Sequence, residues 1–145
     1  MNVLAENRRA RFDYEVLDHY EAGIELLGTE VKSVKGGRLN LSGSYGVIRG
    51  SEAWLLGADI PAYQPKNAPE GYDPKRTRRL LLTRHEIKGL EGRLHEKGLV
   101  LVPLRAHLKN GLVKIELGLA RSKKTRDKRE TLKRRAHERE IERLE

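Results

Sequence analysis

The chain has 145 residues, with 30 Lys/Arg against 21 Asp/Glu, a formal net charge of +9 and a pI of about 9.9. These values fit one domain with an appendage and a polyanionic partner, either nucleic acid or an acidic membrane surface. The lack of cysteine excludes disulfides, thiol nucleophiles and Cys-ligated metals, and with no apolar run near the roughly 18 residues of a membrane span and no apolar leader, a soluble cytoplasmic protein without a membrane partner is expected.

In chain order, residues 7–28 open polar and basic and then turn apolar in mixed period, where Gly23 suggests a bulged or bent strand. "TEVKSVKGG" predicts a short helix, with Thr29 as its cap, Val31 and Val34 on one face, and Gly36-Gly37 ending it. "SYGVIRGSEAWLL" reads as a hairpin turning at Gly50-Ser51. Residues 57–79 hold Pro61, Pro65, Pro69 and Pro74 and predict a long loop.

"TRHEIKGLEGRLHEKG" begins with Thr83 and Glu86 at capping-box spacing and carries an Ile87, Leu90, Leu94 stripe, with Gly98 placed to end the helix. In "LVLVPLRAHLKNGLVKIELGLA", Leu104, Ala106 and Leu108 alternate with Arg105, His107 and Lys109. Past the Asn110-Gly111 turn, Val113, Ile115, Leu117 and Leu119 alternate with Lys114, Glu116 and Gly118. One apolar and one polar face is the pattern of a half-buried antiparallel pair, and Pro103 marks an edge or a bulge. The fold class expected is mainly β with flanking helices: an OB-fold-like antiparallel β-barrel over 1–120, with a basic C-terminal tail over 121–145. Such barrels bind oligonucleotides on a strand face.

Catalytic patterns are missing from the sequence. "GTEVKSVKGG" lacks the phosphate-loop spacing, and "LSGSYG" does not match a nucleophile elbow. His19, His85, His95, His107 and His137 show no i, i+4 metal spacing. We therefore expect a binding protein, not an enzyme, with no metal and no cofactor.

Three basic clusters flank the predicted elements: Arg8, Arg9 and Arg11; Lys75, Arg76, Arg78 and Arg79; and the run after the last strand. Cations at phosphates release counterions and give affinity without sequence choice. With one Phe, one Trp and five Tyr, aromatic stacking platforms are scarce, which favours a shaped RNA over a single strand. Residues 121–145 hold 11 Lys/Arg and 6 Asp/Glu, a net +5, against 19 and 15 in residues 1–120, a net +4. The tail has good helix formers and i, i+4 pairs such as Glu130–Arg134. Its apolar stripe of Leu132, Ala136, Ile141 and Leu144 is thin. It is expected to be disordered or frayed when free and helical in an anionic groove.

Taken together, "NRRARFDY", "EAGIELLGTEVKS", "GSY", "DPKRTRRLLL", "LVPL", "GLARSKK" and "DKR" resemble, in order and over nearly the whole chain, the SmpB family, the SsrA-binding proteins of bacterial trans-translation. The resemblance implies an OB-type barrel that binds the tRNA-like domain of tmRNA and brings it to ribosomes stalled without a stop codon. It further implies a tail that enters the empty mRNA channel near the decoding centre. By resemblance, Asn7, Arg8, Glu21, Leu81, Lys114, Lys123 and Lys124 match RNA-binding positions. Asp127, Lys128 and Arg129 match the tail motif needed for productive tagging, and His137 stands where some members carry a tail aromatic. Arg76 and Arg78 are added as RNA contacts on charge grounds alone. Ser122 stands where the family usually has Gly, and Phe12 where His is common. A monomer is expected.

Overall fold

The computed structural model describes residues 2–96, 98–123, 129, 132–137 and 139. Among these are strands β1 (Asn2–Glu6), β2 (Tyr14–Ile24), β3 (Tyr45–Arg49), β4 (Glu52–Leu56), β5 (Arg78–Leu81), β6 (Leu99–Lys109) and β7 (Leu112–Ser122). Three α-helices accompany them: α1 (Arg8–Asp13), α2 (Gly28–Lys35) and α3 (Arg84–Leu94). All strand pairings are antiparallel. The strands run in the order β1-β6-β3-β4-β5-β2-β7, and β7 pairs back onto β6. Six strands thus close into a ring, and β1 lies outside it on the edge of β6 that β3 leaves uncovered. The expected mainly β architecture with flanking helices is what the chain adopts.

Local chemistry explains most boundaries. Both hairpin turns place two residues at positive φ, Gly50 and Ser51 in one, Asn110 and Gly111 in the other. This is the backbone that matches the strand twist in a two-residue hairpin. The ring closes between β3 and β6 through one pair, Gly46↔Leu101. A Cβ on Gly46 would stand 2.7 Å from Leu101 Cδ2, so glycine leaves the space that the Leu101 side chain fills where these strands meet. Helix α3 has the predicted capping box: Glu86 N–H donates to Thr83 Oγ1 at 3.2 Å, and Thr83 N–H donates to Glu86 Oε1 at 3.0 Å.

Several expectations need correction. Helix α2 is capped at Leu27, not Thr29, because the Glu30 carboxylate reaches back and accepts the Leu27 N–H at 2.8 Å. The irregularity of β2 falls between Val16 and Asp18, not at Gly23. The loop after β4 ends earlier than read, since Arg78 opens β5, and it contains a 3-10 turn at Pro65–Asn67. Strand β1 and helix α1 were not anticipated. The bulge near Pro103 is present as a register shift between Pro103 and Arg105.

The ring encloses Ala22, Leu55, Leu80, Leu101, Ala106, Ile115, Leu117 and Leu119, and α3 adds Leu90. Helix α2 adds Val34 against Ile60 and Val113. A second cluster lies on the outer side of β6 and β7, where Ala10 of α1 packs with Val102, Leu104 and Ala120. These strands are therefore buried on both faces near α1 and only on one face toward the Asn110-Gly111 turn. The polar outer face is confined to that second half, and this is where the functional side chains gather.

Candidate nucleic-acid interface

The antiparallel register brings together residues far apart in sequence. Gly23 of β2 pairs with Leu81 of β5 on one side and Lys114 of β7 on the other. A Cβ at Gly23 would lie 3.3 Å from Leu81 Cβ, so the missing side chain lets Leu81 lie close over β2. Leu81 is 46% exposed, an unusual state for a leucine in a strand. Glu21 is two residues along the same face, opposite Glu116. Glu21, Leu81 and Lys114, three of the residues expected to touch RNA, thus share one neighbourhood.

Two facing carboxylates would repel each other, and cations divide between them. Glu21 receives His107 Nε2 and Lys109 Nζ, each at 3.2 Å. These two hydrogen bonds, Lys109's first, hold its carboxyl below the ordinary value. Glu116 pairs with His19 Nδ1 at 3.0 Å and with the Arg105 guanidinium. Burial pushes the Glu116 carboxyl up, but Arg105 and then His19 outweigh it, and the net shift is downward. A hollow of about 500 Å³ opens here, lined by His19, Tyr20, Glu21, Arg105 and Lys109 among others. Its charge is mixed: cations for phosphates, and carboxylate acceptors for amino or hydroxyl hydrogens.

The sequence reading missed the companions His19, Arg105, His107, Lys109 and Glu116. Three of them were accessible, because the Asn110-Gly111 turn fixes Arg105↔Glu116 and His107↔Lys114. His107 was expected on the polar face, yet it is buried at 4% exposure, and its Nδ1 has no hydrogen-bond partner among the described residues. Pairing with β1, where Val3 lies opposite it, accounts for that burial.

Basic residues from both ends of the chain meet at the other end of the β2–β7 ladder. Tyr14 pairs with Ser122. Lys123 N–H donates to Asp13 O at 2.9 Å, and Lys123 Nζ donates to Arg11 O at 3.2 Å. The exposed Arg8, Arg9 and Arg11 of α1 therefore sit beside Arg121 and Lys123, and two of the three basic clusters form one edge.

Asn7 does not fit a direct RNA contact. It is 3% exposed. Its Oδ1 accepts the Ala10 N–H at 3.1 Å and caps α1, and its Nδ2 donates to Leu41 O at 3.2 Å and Pro103 O at 2.9 Å. It is a clamp joining α1 to the barrel, which presents Arg8. Asn7→Ala is expected to lower stability by about 2 kcal/mol, through a lost cap and two stranded carbonyls. A lowered urea midpoint would be the sign, and an unchanged midpoint would refute the clamp.

In the third basic cluster, Arg76 and Arg78 are structural. Arg78 is 0% exposed, so, against the expectation from charge, its side chain is not presented to RNA. Its Nε and Nη2 donate to Glu30 Oε2 at 2.8 and 2.6 Å, and its other hydrogens reach Ala58 O, Arg76 O and Pro74 O. Arg76 Nη2 meets Glu30 Oε1 at 2.5 Å, and Tyr72 Oη lies 2.9 Å from Glu30 Oε2. Arg76, with a side chain 32% exposed, is committed to this cluster rather than to solvent. Burial pushes the Glu30 carboxyl up, but Arg76, the Leu27 N–H and Arg78 outweigh it and bring it down to about 2. Arg79 pairs with Glu25 and Glu52.

In the tail, Lys124, Asp127 and Lys128 lie outside the described residues, while Arg129, residues 132–137 (His137 included) and Arg139 have helical backbone. The Arg135 guanidinium stands 5.7 Å from the Phe12 ring centroid of α1, within cation–π range. No helix among the described residues is long and apolar enough to cross a membrane.

The chain is similar to known proteins over nearly its whole length. The family model described as "SmpB protein" matches residues 4–145. The SsrA-binding protein of Gloeothece citriformis is 52% identical over 97% of this chain and 91% of its own length. That of Thermosynechococcus vestitus is 52% identical over 99% and 94%. A chain from a solved structure described as "tmRNA-SmpB: a journey to the center of the bacterial ribosome" aligns with a TM-score of 0.70 at 46% identity, covering 86% of this chain and 87% of that one.

Proposed function

Because this chain belongs to the SmpB family, we propose that it binds the tRNA-like domain of tmRNA and delivers it to stalled ribosomes for rescue and peptide tagging. The observation that carries this reading is the convergence of Glu21, Leu81 and Lys114 about Gly23 on one outer face. Leu81 gives an apolar surface against which a base or ribose packs. Lys114 takes a phosphate, and Glu21 accepts an N–H or O–H of the RNA. The edge formed by Arg8, Arg9, Arg11, Arg121 and Lys123 adds phosphate contacts. The role is that of an adaptor in the cytoplasm, without catalytic chemistry of its own. The tail, with Asp127, Lys128, Arg129 and His137, enters the vacant mRNA channel near the decoding centre.

Pull-down from bacterial lysate followed by sequencing of the bound RNA tests the partner. tmRNA should dominate, and displacement by bulk tRNA as easily as by tmRNA would refute the assignment. For the basic edge, Lys123→Ala combined with Lys124→Ala is expected to weaken binding. It should also flatten the plot of log K against log salt by about 0.7 per lost phosphate contact. An unchanged slope would remove these lysines from the interface.

A further inference from the structure

The geometry points to His107 as a positioning residue for RNA binding, one that fixes the carboxylate of Glu21 from beneath the outer face without touching RNA itself. This rests on the reading of Glu21 as an RNA-contacting group.

A carboxylate is an acceptor only, so the proton in the 3.2 Å contact between His107 Nε2 and Glu21 Oε1 belongs to the imidazole. His107 is buried between its cross-strand neighbours, Val3 of β1 and Lys114 of β7. Its ring cannot follow the solvent-exposed side chains around it. Glu21 is 40% exposed and would otherwise be free to change rotamer. His107 holds one of its oxygens and Lys109 Nζ, at 3.2 Å, the other. Of these anchors Lys109 is 57% exposed and His107 only 6%, so the rigid one is the histidine. Two of the roughly four lone-pair positions of the carboxylate are used in this way, leaving the others for a donor on the RNA.

The other imidazole nitrogen marks the arrangement as more than packing. Nδ1 is buried without a partner among the described residues. An apolar side chain of similar size would leave no polar atom to satisfy at this buried position. Retaining imidazole makes sense if the Nε2 hydrogen is needed at Glu21, where aligning a group before binding reduces the entropy lost on association.

The experiment compares His107→Leu, His107→Gln, Glu21→Ala and the double variant Glu21→Ala/His107→Leu. It uses full-length protein, the tRNA-like domain of tmRNA at fixed salt, and thermal unfolding of each variant. His107→Leu should bind roughly tenfold more weakly, the scale of one charge-assisted hydrogen bond, while its unfolding midpoint stays the same or rises. His107→Gln, whose amide N–H can stand in for Nε2–H, should recover most of the affinity. In the Glu21→Ala background, adding His107→Leu should change affinity by less than about twofold. Weak binding by Glu21→Ala beside intact binding by His107→Leu would overturn the proposal alone. Intact binding by Glu21→Ala would overturn the reading of the whole face and the proposal with it. A parallel loss of affinity and stability, without recovery in His107→Gln, would make His107 a structural residue and also overturn it.

Discussion

Glu30→Ala, or Arg78→Met, is expected to destabilise the fold by about 3–5 kcal/mol, the cost of leaving one member of a buried ion pair without its partner. Both side chains are 0% exposed. Glu30 anchors the start of α2, and Arg78 gathers Ala58 O and Pro74 O at the two ends of the proline-rich loop. Loss of either residue therefore also loosens the loop. Replacing both, as Glu30→Leu with Arg78→Met, should cost less than the sum of the single changes, because no charge is stranded. Acid should act through the same group. The Glu30 carboxyl is lowered from 4.5 to about 2 in the folded chain. A depressed folded value means its contribution is complete above the unfolded value and is lost as pH falls through the folded one. That loss, on the order of 3 kcal/mol, belongs between pH 4.5 and about 2. Urea titrations across that window should fall steeply for the wild type and more gently for Arg78→Met. Equal slopes, or single variants as stable as the wild type, would show that the pair does not hold the loop.

This pair also shows where reading the sequence stops. In "DPKRTRR" every cation looks like part of a solvated run, and nothing local distinguishes Arg78 from Lys75. What buries Arg78 is Glu30, 48 residues earlier, brought into range only once α2 and β5 have joined the barrel. Asn7 is a similar case. The resemblance implied an RNA contact there, but its amide spans the chain to Pro103, 96 residues away. The 104–119 hairpin and the start of α3 were legible because their determinants are local: strict alternation, an Asn-Gly turn, and a Thr–Glu capping pair. Strand β1 and helix α1 have five and six residues, and both draw their stability from packing on β6 rather than from intrinsic propensity. The grouping of Glu21 with Lys114 required the β2–β7 register, which no local pattern specifies. The family resemblance named these positions as RNA contacts without regard to burial. Their geometry then separates those that face solvent, such as Leu81, from those that hold the scaffold, such as Asn7.

Deleting residues 126–145 is expected to separate binding from tagging. The segment removed holds eight Lys/Arg and six Asp/Glu, a net of only +2 out of +9. The truncated chain keeps most of the long-range attraction that supports phosphate binding. It also keeps Glu21, Leu81 and Lys114, and the basic edge where Lys123 is tied to Asp13 O and Arg11 O. Affinity for the tRNA-like domain, measured by gel shift at fixed salt, should therefore change by no more than about twofold to threefold. Peptide tagging on ribosomes stalled at a message lacking a stop codon should fall to background, because the truncated chain has nothing to place in the vacant channel. Alanine at Asp127, Lys128 and Arg129 together should reproduce much of the tagging defect with the chain length intact, which distinguishes the motif from mere reach. The high density of both charge signs gives the tail i, i+4 pairs that favour a helix, while its thin apolar stripe offers little to bury against the barrel. A truncated chain that no longer binds the RNA would mean that body and tail grip it together, and the division of labour between them would have to be abandoned.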